Sequence, residues 1–185
     1  RSYSVTGVQT CALPILTYAD LRHLAQTGDV LLVRGNTLVR VLSASSFSHV
    51  AVLMWMPDGG LWVFEFVEGV GYQAMPASQW FAARKGQAVY HCQAPLIVRR
   101  NAAEVRKHVL TYRDGRRIKR RYGWLSLVTV WLSQVTGRRI PVWAKVCSTF
   151  AQEVWERAGY TGFTRTADPD DFVEHCLHIA QVREM

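Results

Sequence analysis

Residues 49–67 constrain this chain more than any other stretch. His49-Val-Ala-Val-Leu-Met-Trp55 and Leu61-Trp-Val-Phe-Glu-Phe-Val67 are both rich in β-branched and aromatic side chains, and Pro57-Asp58-Gly59-Gly60 separates them. Two such runs around a proline–glycine cluster predict a β-hairpin. The turn chemistry also predicts its register. Pro57 suits the second position of a type I turn, Asp58 the third, and Gly59 the left-handed position that follows. That is a three-residue loop with a glycine bulge, which opposes Met56 to Gly60 and Ala51 to Glu65. His49 and Glu65 then share a face as diagonal neighbours, at about 7–8 Å between backbones. A four-residue loop would instead set His49 against Glu68 and turn Glu65 to the other face.

The second informative stretch is Ala144-Lys-Val-Cys147-Ser-Thr-Phe-Ala-Gln-Glu-Val-Trp155. Phe150, Ala151, Val154 and Ala158 recur at the spacing of one helical face, and Gly159 suits the end of that helix. Cys147 therefore stands at a helix start, where backbone N–H groups lack intrahelical partners and the helix dipole is positive. A thiol there has a lowered pKa and becomes a nucleophile. The plainer reading is a buried cysteine that only packs.

With 185 residues, 49% of them hydrophobic, the chain is expected to form one domain with a substantial core. Residues 1–15 lack strand or helix periodicity and resemble a translated sequencing adapter. They are expected to be non-native, leaving one domain over residues 16–185. On that reading the natural N-terminus, and any leader on it, is missing. Without Arg1 the formal charge falls from +8 to +7, and without Cys11 the cysteines are Cys92, Cys147 and Cys176. Three scattered cysteines are no disulfide framework. The longest apolar run, from Trp124 to Leu132, is too short to span a membrane, which takes about 20 residues. No compartment follows from the sequence, and the cell envelope is one candidate.

Read in order, the pattern predicts a helix over Thr17–Gln26, a buried strand over Val30–Val33 and a helix over Thr37–Ala44. The hairpin follows, then a loop or short strand over Gly69–Met75 and a short helix from Pro76 to Arg84. Gln87–Cys92 and Leu96–Arg99 read as strands. Asn101-Ala-Ala-Glu104 opens a helix that stops near Gly115, and Tyr122–Thr136 reads as another. After the Cys147 helix come a short helix from Asp168-Pro169 to His175 and an edge strand over Leu177–Val182. Consecutive strands followed mostly by helices argue an α+β fold, an antiparallel sheet packed against helices.

Cysteine nucleophiles need a base within reach and a group to orient that base. Of the histidines, His23 and His108 read as solvated helix residues. His49 opens the most apolar strand, where it either faces a cleft or is simply a satisfied strand-start residue. Glu65 shares its face with Leu61, Val63 and Val67, so its carboxylate needs a partner against a desolvation cost of several kcal/mol. A histidine on the neighbouring strand would serve; the alternatives are an arginine or a solvated sheet face, and the three apolar neighbours disfavour the latter.

Gly28-Asp29-Val-Leu-Leu-Val, Phe47-Ser48-His49-Val-Ala-Val-Leu, Val63-Phe64-Glu65 and Val146-Cys147-Ser148-Thr149-Phe150 together resemble the permuted papain-like cysteine hydrolases. That is the YiiX and YaeF group, related to NlpC-type cell-wall peptidases and to lecithin retinol acyltransferase. The resemblance covers Thr27 to Phe172 and keeps the permuted order, histidine strand before cysteine helix. It implies a papain-like, circularly permuted NlpC-like fold without a cofactor. It also implies Cys147 as nucleophile, His49 as base and Glu65 as orienting group, acting on peptide, acyl-amide or acyl-lipid substrates through a thioester. Tyr122-Gly123 departs from it, because an acidic residue is expected after the tyrosine.

Two other readings stand beside this one. His91-Cys92 and His175-Cys176-Leu177-His178 hold zinc-type ligands, but no CxxC spacing supports a site. Arg116, Arg117, Lys119, Arg120 and Arg121 form the most basic stretch. They could hold an anionic membrane or polymer surface in a non-catalytic binding module, or be a solvated loop. No nucleic-acid motif accompanies them.

Overall fold

The computed structural model describes residues 13–35, 45–67, 70–114, 131–133, 135–138, 140 and 146–183. Among these, seven strands form one sheet: β1 (Ile15–Thr17), β2 (Val30–Arg34), β3 (His49–Trp55), β4 (Leu61–Val67), β5 (Gly71–Pro76), β6 (Ala88–Cys92) and β7 (Ile179–Arg183). Their spatial order is β1-β7-β6-β2-β3-β4-β5. Among the described residues every strand pair is antiparallel except β1 with β7, so the expected antiparallel sheet carries one parallel edge. The helices are α1 (Tyr18–Leu24), α2 (Ala77–Ala82), α3 (Leu96–Arg100), α4 (Ala102–Asp114), α5 (Cys147–Arg157) and α6 (Asp171–His175). This is the α+β architecture that the element order implies.

The middle of the sheet is buried on both faces, which is why β2, β3 and β4 read as nearly unbroken apolar runs. Even-numbered residues Val30, Leu32, Val50, Val52, Met54, Phe64 and Phe66 pack with Val105, Val109, Phe150, Val154 and Trp155 from α4 and α5. Odd-numbered residues Leu31, Val33, Ala51, Leu53, Leu61 and Val63 pack with Leu21 of α1 and Ala77, Trp80 and Phe81 of α2.

The hairpin has the register its turn demands. Val52 opposes Phe64 and Trp55 opposes Leu61. Met56 N–H donates to Gly60 O at 2.8 Å and Gly59 N–H to Met56 O at 3.0 Å, with Gly59 at φ 78°. α1 starts one residue after Thr17, whose hydroxyl accepts from Asp20 N–H while the Asp20 carboxylate accepts from Thr17 N–H.

Several expectations are corrected. Leu96–Arg100 is a helix rather than a strand. Pro95 introduces it, and the buried Asp29 carboxylate draws Ala94 N–H and the Arg99 guanidinium together in a way no extended run would allow. Residues 177–182 do not form an edge strand: β7 lies between β6 and β1. Asn101 donates its side-chain amide to Ala158 O at the end of α5. His108 is half-buried, ring-edge against Tyr112 and 3.6 Å from Glu153, rather than solvated. β1 begins at Ile15, and Pro14 O accepts from Gln181 N–H. The helix expected over Thr37–Ala44, the basic residues 116–121 and Tyr122-Gly123 lie outside the described residues. Of the helix expected over Tyr122–Thr136, residues 131–133 and 135–136 are described, and they are helical.

Candidate functional site

α5 begins at Cys147 without a side-chain cap of the usual kind, because its N-cap residue is Val146. The Thr149 hydroxyl substitutes in part, accepting from Val146 N–H at 3.0 Å. The first-turn amides are thus left for the thiol. Cys147 Sγ lies against the N–H groups of Ser148, in its own helix, and Val50, in β3. The apolar face of α5 decides this placement: Phe150, Ala151, Val154 and Trp155 are fully buried against the even face of the sheet. Trp155 Nε1–H also donates to Gly28 O at 2.8 Å, fixing the helix at its far end.

His49 is the first residue of β3, and its side chain is 18% exposed. Position one on the strand lets the imidazole serve both layers. It lies beside the Cys147 thiol, whose helix covers the even face. Its Nε2 lies 2.7 Å from Oε2 of Glu65, which belongs to the odd face. Glu65 is 1% exposed. Its carboxylate also accepts from Trp80 Nε1–H at 2.9 Å and from Arg84 at 2.9 Å to each oxygen. The two partners imagined for Glu65, a histidine and an arginine, are both present. Cys147, His49 and Glu65 are far apart in sequence but come together with the imidazole between the thiol and the carboxylate it hydrogen-bonds.

The electrostatics follow from that arrangement. Burial disfavours a charged His49, but the Cys147 thiol and the Glu65 carboxylate outweigh it and raise its pKa to about 9. Burial would raise Glu65, yet the His49 hydrogen bond and charge, Arg84 and Trp80 bring it down to about 2. Burial likewise opposes a Cys147 thiolate. The His49 charge and hydrogen bond, with the Val50 and Ser148 N–H groups, overcome that and lower its pKa. A thiolate–imidazolium pair beside an ionised carboxylate is the state these shifts favour.

Trp80 and Arg84 were not legible as site residues. Nothing in their local pattern marks them, and they reach Glu65 because α2 crosses the odd face of the sheet. The Arg84 guanidinium lies 4.0 Å from the centre of the Trp80 ring. It also lines a cavity of about 540 Å³ shared with Lys85, Gln87, Gln181 and Arg183; Cys147 and His49 take no part in it. Phe47, just before the histidine, is held edge-on against Tyr90. Ser46 N–H donates to Asp170 Oδ2 at 2.8 Å, tying the loop before His49 to the start of α6.

The zinc-type ligands are distributed differently. His91 Nε2 is 2.9 Å from Asp29, inside the buried network that Arg99 completes. Among the described residues no group of three or more histidine, cysteine, aspartate or glutamate side chains is placed to hold a metal ion. Nor is any described helix long and apolar enough to cross a membrane.

No family model matches the chain, and neither does any curated protein. Among solved structures it is similar to one described as the metalloprotein yiiX of Escherichia coli O157:H7, DUF1105. The identity is 17%, the TM-score 0.47, and the match covers 86% of this chain and 97% of the other.

Proposed function

We propose that this protein is a cysteine hydrolase of the permuted papain-like type, acting on amide or peptide bonds, or on acyl-lipid bonds, through a thioester. The observation that carries the reading is the chain of contacts from the Cys147 thiol through His49 to Glu65, 2.7 Å from the imidazole. A thiol that merely packs needs neither a basic neighbour nor a carboxylate behind it. A binding module needs none of the three.

In this mechanism the Cys147 thiolate attacks the substrate carbonyl. The Cys147 backbone N–H, at the uncapped start of α5, donates to the developing oxyanion. Glu65 holds Nε2 of His49, which leaves Nδ1 as the ring nitrogen for the thiol and the leaving group. His49 gives its proton to the leaving amine or alcohol, the acyl group stays on sulfur, and His49 then activates the water that releases it. Arg84 and Trp80 hold Glu65 ionised throughout.

The test is the rate of thiol alkylation against pH. Cys147 should react faster than Cys92 or Cys176 at mildly acidic pH, and His49→Ala should abolish that advantage. Equal rates at the three thiols would sink the reading and favour a binding module acting through residues 116–121. Mass spectrometry of Cys147 after exposure to cell-wall peptides, and separately to acylated lipids, should reveal which class leaves an acyl adduct.

A further inference from the structure

Cys92 and Cys176 are far apart in sequence but meet beside the seam between β6 and β7. Cys92 is fully buried in the core cluster on the even face of the sheet, and Cys176 packs against that cluster half-buried, just after α6. Two backbone hydrogen bonds hold their segments together, Gln93 N–H to His178 O at 2.8 Å and Leu177 N–H to Gln93 O at 2.9 Å. The two side chains pack in the same cluster, and both thiols are free in the structure. Cys176 can also donate to Val173 O at 3.4 Å.

We infer that Cys92 and Cys176 form a redox-active dithiol that closes to an intramolecular disulfide by exchange with small-molecule disulfides, leaving Cys147 unpaired. The proposal does not depend on the hydrolase reading. The two thiols have unequal roles because their surroundings differ. Cys176 is the one solvent can reach. Its thiolate is favoured first by the Cys92 hydrogen bond and then, against burial, by the N–H groups of Cys176 and His178. It is therefore the attacking sulfur. Cys92 is held protonated by its bond to Cys176 and by burial, which suits a thiol that resolves rather than initiates.

The exchange balances in two steps. The Cys176 thiolate attacks one sulfur of glutathione disulfide, breaking its S–S bond and releasing one glutathione thiolate. Cys92 then loses its proton to that thiolate and attacks Cys176 Sγ, expelling the second glutathione. Two cysteine thiols are oxidised and one glutathione disulfide is reduced. The bond closes a long loop that runs from the end of β6 through α3, α4, α5 and α6. It should therefore stabilise the fold mainly by restricting the unfolded chain.

The experiment uses the full chain carrying Cys11→Ser and Cys147→Ala, so that Cys92 and Cys176 are its only thiols. It is equilibrated with glutathione buffers of increasing oxidised fraction and quenched in acid. The expected result is an intact mass lower by two hydrogens, a linked pair of peptides holding Cys92 and Cys176, and a melting temperature higher by about 5–10 °C. Adding Cys92→Ala should trap a lasting glutathione adduct on Cys176. Adding Cys176→Ser should leave Cys92 unmodified. An unchanged mass at the most oxidising buffer, a persistent adduct with Cys92 present, or a disulfide between two chains would overturn the proposal. If the Cys92→Ala chain fails to fold, the mass and peptide map of the two-thiol chain decide by themselves.

Discussion

Glu65 is the residue on which the site's electrostatics converge. A carboxylate that is 1% exposed is tolerable only because both oxygens are occupied: Oε2 by His49, Trp80 and Arg84, Oε1 by Arg84. Breaking such a cluster from one side strands the remaining charges, which is costlier than never having built it. Glu65→Gln keeps the shape and one acceptor but removes the charge that helps hold His49 near 9. Turnover should fall by about 10–100-fold, far more than for Glu68→Gln. The alkaline limb of the alkylation profile should move to lower pH, since the imidazolium loses a stabilising partner. Arg84 is 17% exposed and can regain water, so the variant should still fold. A Glu65→Gln protein with the wild-type profile would mean the carboxylate is structural only.

At the scale of elements, Gly28-Asp29 is the hub that places α5 over the strands. Gly28 N–H donates to Leu53 O, its own carbonyl receives Trp155, and Asp29 gathers Gln26, Ala94, His91 and Arg99. Gly28 sits at φ 100°, and a Cβ there would come within 2.7 Å of the Val98 side chain. Gly59, in the hairpin turn, has φ 78° and nothing within 4 Å. Both substitutions to alanine carry backbone strain, but only Gly28→Ala adds a core clash. Chemical denaturation should show a loss of about 1 kcal/mol for Gly59→Ala and about 2–5 kcal/mol for Gly28→Ala. Equal losses would contradict the hub. The contrast also explains what was legible. The hairpin could be read because turn type, strand composition and register are all local. Cys147, His49 and Glu65 stood out because each sits where its residue type is unusual. α3 was misread because Leu96-Ile97-Val98 suits a strand as well as a helix, and Asp29, some 70 positions earlier, makes the choice. Trp80 and Arg84 were invisible for the same reason: their role exists only after α2 folds onto the sheet.

For the whole molecule, the titrating groups predict how stability depends on pH. His49 binds its proton more tightly in the fold, about 9 against an ordinary 6.5. The stability it lends is complete below 6.5 and is lost as pH rises through 9. Glu65 runs the other way: its pKa falls from 4.5 to about 2. Its contribution is present above 4.5 and lost as pH falls toward 2. Melting temperatures from about pH 3 to about pH 10 should therefore decline at both ends. Asp168 tilts the middle. Burial, and then the Asp171 charge, raise it from 3.8 to about 6, so the fold prefers it protonated. Below 3.8 it costs nothing. Between 3.8 and 6 stability is lost as the unfolded chain ionises more readily, and above 6 the full cost remains. Asp168→Asn removes the charge yet can still accept from the N–H groups of Asp170 and Asp171 through one oxygen. It should match the parent near pH 3 and melt about 2–4 °C higher above pH 7. Should the gain be the same at both pH values, the ionisation of Asp168 is not its source.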